Sequence, residues 1–237
     1  VTARTMLALP GARLAYWLSP AMTRAFTQGQ PLGEIAAPKV GLQTGNNDRF
    51  LRQWFEVSRD RSCFGATSRE AAADSGAMWF PHLKGGGFRK WWGNQDYVIN
   101  WAHDGAELWD FRPRSVIRNP DSYFKPAISW SRLTSGDIGF RYSVDGYIPN
   151  DKAPFIAGSS AGLNLLALLN ASTTNSMMSV LAPTIMFEIG QLTSVPIVGG
   201  NDGESGFPAR LAARLVGIFR SDWNAYETSW EFQSSPL

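Results

Sequence analysis

At 237 residues the chain is long enough to bury a full hydrophobic core, and it reads as one domain with extended ends. A single cysteine, Cys63, and two histidines, His82 and His103, rule out a disulfide framework and leave too few soft ligands for a zinc site. The net charge of +2 conceals an asymmetry: Lys and Arg against Asp and Glu run 3 to 1 over residues 1–38, 15 to 11 over 39–141 and 4 to 8 over 142–237, so a polyanion would prefer the front of the molecule.

The chain begins at Val1 with no charged leader before an apolar core, and it reads as a piece of something longer without a targeting peptide. Ser19-Pro20 opens a short helix, a hydroxyl cap followed by proline at the first helical position, and the helix should stop near Gly29. From Val40 to Tyr142 short apolar runs such as YVINW (97–101) alternate with turns at GGG (85–87), HDG (103–105) and SGD (135–137), which predicts short strands broken by polar loops. The second half is more helical. GLNLLALLN (162–170) predicts a buried helix, and its apolar run is far short of the roughly 20 residues of a membrane span. A second helix follows at 174–181, and PTIMFEIG (183–190) reads as a strand with Ile185, Phe187 and Ile189 on one side. Beyond a Gly/Asp/Ser-rich break at 199–206, Leu211, Leu215 and Phe219 recur as the apolar stripe of a tail helix.

The loop GLQTGNNDRF (41–50) has two glycines four apart, but asparagine follows the second where a phosphate loop needs Lys-Ser/Thr. KGGGF (84–88) lacks the spacing of a dinucleotide fingerprint. GSSAG (158–162) fits the nucleophile elbow of serine hydrolases, yet both histidines lie upstream of Ser160, so the required chain order is impossible. A small-residue turn capping the next helix through Ser159 or Ser160 is the better reading, with a hydrolase the least favoured alternative. RNPDSYF (118–124) superficially resembles the Asn-Pro-Pro-Tyr loop of amino-group methyltransferases, but Asp121 and Ser122 break it.

What remains is a constellation. Lys84, Arg89, Lys90, Arg112, Arg114, Arg118, Lys125, Arg132 and Arg141 are interleaved with Trp91, Trp92, Trp109, Tyr123, Phe124 and Trp130. Cations neutralise phosphates, and Arg, Asn and Gln fork base edges in the major groove. Taken singly, each tryptophan is more often core than contact.

Several segments together, LPGARLAYWLS (9–19), VGLQTGNNDRFLRQWFEV (40–57), KGGGFRKWWGNQDYVINW (84–101), IRNPDSYFKPAISWSRLTSG (117–136), LLALLNAS (165–172), LAPTIMFEIGQLTSVPI (181–197) and SDWNAYETSWEF (221–232), resemble the downstream half of the PglX family of BREX phage-defence adenine-specific DNA methyltransferases. Ala182, where Asn before Pro183 is more usual, and the 158–161 turn depart from the family pattern. The resemblance implies a target-recognition domain, similar also to those of type I specificity subunits. It places the methyl-transfer centre and its S-adenosylmethionine on an N-terminal methyltransferase domain outside this chain, and it implies no cofactor, no metal and no catalytic residue here.

The expected fold is α+β, a curved, mostly antiparallel β-sheet carrying polar loops and braced by helices. Residues 1–38 form a leading segment, 39–198 the recognition domain, and 199–237 a linker and helical tail. The expected function is sequence-specific binding of double-stranded DNA in the cytoplasm, with no membrane. Contacts are expected from Gln43, Thr44, Asn46, Asn47, Arg49, Lys84, Arg89, Lys90, Trp91, Arg118, Lys125, Arg132 and Arg141. For Asn46 and Asn47, capping of the turn at Asp48 is an equal alternative. A protein-interaction surface for other phage-defence subunits or phage inhibitors is the competing reading of the whole domain.

Overall fold

The computed structural model describes residues 18–198 and 206–234. In chain order the elements are α1 (Pro20–Gln28), β1 (Gln30–Pro31), α2 (Leu32–Ile35), α3 (Asn47–Phe50), β2 (Leu51–Gln53), α4 (Arg69–Asp74), β3 (Trp79–Leu83), β4 (Tyr97–Asn100), α5 (Ala102–Asp110), β5 (Ala127–Trp130), β6 (Phe140–Ser143), β7 (Ile148–Pro149), β8 (Phe155–Ala157), α6 (Leu163–Asn170), α7 (Ser172–Leu181), α8 (Ile189–Leu192), β9 (Pro196–Ile197) and α9 (Phe207–Asn224). The class is α+β, as expected. The strands do not form one curved sheet, however; they divide into three. A four-stranded sheet runs β2-β4-β3-β7, a three-stranded one β6-β5-β8, and β1 pairs with β9.

The division follows from two separate cores. Leu42, Phe50, Phe80, Ile99, Trp101, Tyr123 and Phe124 pack on the four-stranded sheet. Ile128, Trp130, Phe140 and Ile156 of the three-stranded sheet pack with Leu166, Leu169, Met178 and Leu181 of α6 and α7. All pairings are antiparallel except β3 with β7, which join in parallel at His82↔Ile148 and Leu83↔Pro149. That short pairing explains Pro81 in an interior strand. β7 reaches only His82 and Leu83, so proline meets no demand for an amide hydrogen on that side.

Ser19 caps α1 by accepting from the Met22 amide, and Gly29 ends it. The strand read at 183–190 is absent: only an isolated bridge, Leu133↔Met186, forms there. Phe187 is buried, Ile185 is exposed, and Ile189 begins a helix. The cause is local, a reciprocal cap in which Glu188 and Gln191 satisfy each other's backbone amides and start α8. Gly158–Ser160 forms a 3₁₀ turn, and the N-cap of α6 is Gly162, which has no side chain to cap with.

The tail helix packs differently from its leucine stripe. Ala209 and Ala212 are buried, with Val216 and Trp223 below them, while Leu211 is 42% exposed. α9 lies against α6, and small residues let two helix backbones come close. Trp230 then anchors the segment after the helix between Phe64 and Tyr147. Burial alone would raise the Glu231 carboxyl, but hydrogen bonds from Arg220 and Asn224 hold it below the usual carboxylate value and lock this turn.

Because the α6–α9 contact has alanine-sized clearance, Ala212→Leu should destabilise the fold by about 1–3 kcal/mol through overpacking. Leu211→Ser, on the opposite face, should cost under about 1 kcal/mol. Paired thermal melts check the difference, and equal losses would contradict the packing face described.

Candidate nucleic-acid interface

The segment opening at Gly41 is threaded between two other pieces of backbone. Leu42 donates to the Pro149 carbonyl (3.0 Å) and accepts from the Asp151 amide (2.9 Å). Gln43 exchanges both of its backbone bonds with Val116, at 2.8 and 2.9 Å. No side chain fits at the two glycines. A Cβ on Gly41 would lie 1.9 Å from the Pro149 oxygen; on Gly45, whose φ is +68°, it would lie 2.4 Å from the Arg114 oxygen. The asparagines that follow are fixed on one side only. Asn46 caps α3, its Oδ1 accepting from the Arg49 amide (3.1 Å), and Asn47 Oδ1 accepts from the Thr44 hydroxyl (2.6 Å).

This threading creates a groove of about 350 Å³ lined by Gln43 to Asn47, by Lys84 at the end of β3, by Arg114, and by Asn150, Asp151 and Lys152 after β7. Three cations face one carboxylate. That carboxylate is already engaged, accepting from Gln43 Nε2 (2.8 Å) and sitting 3.1 Å from Lys152 Nζ. Lys84 is steadied by its position 4.1 Å over the Tyr97 ring. Behind the groove, His82 is fully buried, its Nε2 3.2 Å from Asn150 Nδ2. The amide can only donate there, so the imidazole proton is assigned to Nδ1. Burial pushes this histidine down from its ordinary 6.5 to about 3.

The structure therefore gathers Gln43, Thr44, Asn46, Asn47 and Lys84 at one place and disperses the other expected contacts. Arg49, on the next turn, pairs with Glu107 (3.2 Å) and lies over Phe50 and Phe111. Arg89 stacks on Trp223 and faces Asp222 at 3.8 Å, while Lys90 donates to the Asn170 carbonyl (2.9 Å). Trp91 is half-buried against the core of the three-stranded sheet and exchanges backbone bonds with that sheet's edge at Phe140 and Tyr142. Arg132 is clamped by Glu188 through two N–H groups (2.9 and 2.7 Å). Arg141 is only 4% exposed. Burial and the neighbouring Arg89 lower its guanidinium to about 10, and it donates to Ser131 and to the Arg89 carbonyl. Arg118 and Lys125 stand exposed outside the groove. Of the interleaved aromatics, Trp92, Tyr123, Phe124 and Trp130 are core.

Four groove residues were missed or undervalued. Arg114 stood in the basic constellation without being singled out. Asn150, Asp151 and Lys152 lie in the acidic half of the chain; their signal in the sequence is a polar Asn-Asp-Lys turn directly after the apolar Tyr-Ile-Pro run.

In the 118–124 loop the Tyr123 and Phe124 rings are buried, and Asn119 Nδ2 donates to the Val40 carbonyl (2.9 Å). The strand-turn-helix unit β8 to α6, which carries glycines at 158 and 162, leaves from an antiparallel edge strand rather than from the carboxyl end of a parallel sheet. Among the described residues no cluster of His, Cys, Asp or Glu could hold a metal, and no helix is long and apolar enough to cross a membrane.

No protein-family model matches the chain. It is 34% identical over 238 residues, 97% of its length, to the adenine-specific methyltransferase PglX of Lacticaseibacillus casei (strain Zhang). It is also 34% identical over 240 residues, again 97% of its length, to the adenine-specific methyltransferase BrxX of Escherichia coli O9:H4 (strain HS). The chain spans about a fifth of these relatives, 19% and 18% of their lengths. The similarity thus sets nearly the whole chain beside one segment of the BREX-type adenine-specific methyltransferases, as the resemblance in its motifs implied.

Two measurements test the groove's construction. Gly45→Ala should cost more than about 1 kcal/mol in denaturant unfolding, since its φ and the Arg114 backbone both oppose a side chain. For His82 the folded pKa of about 3 lies below the unfolded 6.5, so the unfolded chain binds the proton first. Stability is full above pH 6.5 and drains as pH falls towards 3, by up to a few kcal/mol. Melting temperature should decline across that window, and His82→Gln should flatten the decline.

Proposed function

We propose that this chain grips and reads double-stranded DNA for a BREX-type N6-adenine methyltransferase. The observation that carries the reading is the groove itself: the side-chain amides of Gln43, Asn46 and Asn47 share one concavity with Lys84, Arg114 and Lys152, above a buried Thr44 whose hydroxyl is spent on Asn47. Phosphate contacts fix position and base-edge contacts specify sequence, and this site combines both kinds of group. The cap uses only Oδ1 of Asn46, and the Thr44 bond uses only Oδ1 of Asn47, which leaves both Nδ2 groups as donors. A cavity of about 350 Å³ is too small to take a duplex and receives a phosphate or a base edge from one lying across it.

The two relatives are named for methylating adenine. An enzyme that acts on a base in duplex must extrude it, so something has to hold the flanking DNA and choose the target. In this reading the chain does the choosing. Methyl transfer from S-adenosylmethionine belongs to another part of the polypeptide, and the groove residues bind and orient without taking part in the chemistry.

The test uses the full polypeptide that contains the chain. Lys84→Gln and Arg114→Gln should each weaken binding to all duplexes alike and lower the slope of log affinity against log salt by about one. Asn47→Ala should instead relax preference at one base pair by about 1–3 kcal/mol and change the methylated sequence there. Duplex affinity and salt slope that are unaltered in all three variants would overturn the reading. Because the walls include residues 150–152, specificity should follow an exchange of residues 39–152 with a relative, whereas an exchange stopping at 141 would split the groove.

A further inference from the structure

Next to the cationic groove lies a second concavity, about 580 Å³, between Phe88 on one wall and Leu133 and Ile185 on the other. Phe88, Leu133, Ile185 and Met186 are 52, 58, 57 and 41% exposed, a concentration of large apolar side chains that a soluble surface does not otherwise hold together. They do not sit on loose loops. Leu133 bridges Met186, the Thr134 amide donates to the Ile185 carbonyl (3.1 Å), and the Phe187 amide donates to the Arg132 carbonyl (2.8 Å). The base of this two-stranded tip is pinned by the Arg132–Glu188 pair and by Trp130 Nε1 on the Phe187 carbonyl (3.1 Å). The opposite wall is a glycine loop, Gly85 to Gly87, that starts from Lys84 of the first groove.

The two concavities flank one backbone junction. The Arg132 amide donates to the Lys152 carbonyl at 3.0 Å, and a Cβ on Gly85 would stand 2.8 Å from that same oxygen, so the segments that carry Lys84, Lys152 and the apolar tip meet at this junction. Phe88 follows Lys84 across the Gly85 to Gly87 loop, so a duplex held at Lys84 and Lys152 has the apolar tip within reach. Glu188 is neutralised by Arg132, and Asp137 is the one carboxylate on the rim. Asp137 disfavours phosphate at that point.

We infer that Phe88, Leu133, Ile185 and Met186 form an apolar wedge that enters the duplex beside the cationic groove and partly unstacks one base step. The inference rests on the DNA-reading role proposed above and adds a mechanical one. Phe, Leu, Ile and Met are the side chains that proteins insert between base steps, spending a few kcal/mol of unstacking to bend DNA onto more protein surface. A step already opened also lowers the cost of extruding a base nearby.

The test selects bound duplexes from a random-sequence library with the full polypeptide and places 2-aminopurine at successive positions of a selected duplex. Wild type should raise fluorescence at one step. Phe88→Ala and the double variant L133S/I185S should lose most of that rise and bind about tenfold more weakly, with the salt slope unchanged. These side chains are exposed, so melting temperatures should stay near wild type, and circular dichroism confirms that the variants fold. If no duplex is retained at all, the DNA-reading role falls together with the wedge. If DNA is bound without unstacking, or if the variants keep the signal, only the wedge falls. Variants that keep the DNA signal but lose a protein partner would assign the tip to that partner instead.

Discussion

The groove depends on a clash that is avoided twice. Between Gly41 and Gly45 the backbone passes so close to the carbonyls of Pro149 and Arg114 that a methyl group at either position would overlap them. Hydrogen bonds from Leu42 and Gln43 to both neighbouring segments then hold the strip flat. That contact brings the asparagines of one wall, Arg114 and the Asn150–Lys152 turn to one place, and β3 delivers Lys84 beside them. The strip is held by the backbone bonds of Leu42 and Gln43, which leaves side chains such as Asn47 to face outward with one end still unengaged.

The same economy governs charge. Sequence alone shows basic residues interleaved with aromatics, a pattern that fits a nucleic-acid surface. In the folded chain much of that interleaving is internal: Arg49 lies over Phe50 and Phe111, Arg89 over Trp223, Arg112 over Trp109 and Arg220 over Trp92. Arg132 is spent on Glu188, Arg69 on Asp104 and Asp121, and Arg141 is sealed beneath the surface. The cations left for an outside anion at the groove are few, and proximity in space distinguishes them where composition could not.

Legibility followed the range of the interactions. Ser19-Pro20, the YVINW strand, the GLNLLALLN helix and the capping role of Asn46 were readable because each is decided within a few residues. The strand expected at 183–190 failed because a local cap at Glu188 outweighed apolar alternation. The leucine stripe of the tail misled because the contact selects small residues, and Ala209 and Ala212 carry no hydrophobic signal as strong as Leu211. The 41–47 loop was noticed as odd, but its partners at 114–116 and 149–151 are set by tertiary pairing that no spacing in the sequence announces. The division into separate sheets was hidden for the same reason, since β7 contributes only two residues and joins β3 across more than sixty intervening positions.

That distant parallel pairing has a consequence for synthesis. The polypeptide emerges from its N-terminus, and the residues that shape the front wall, Gly41 to Asn47, leave the ribosome long before the turn at Asn150 that they must embrace. Until Ile148 and Pro149 arrive to dock beside His82 and Leu83, the nascent protein has its lysines and amides but no concavity in which to align them. A product terminated before Ile148 would therefore carry the positive charge of the front wall without the concavity that gathers it.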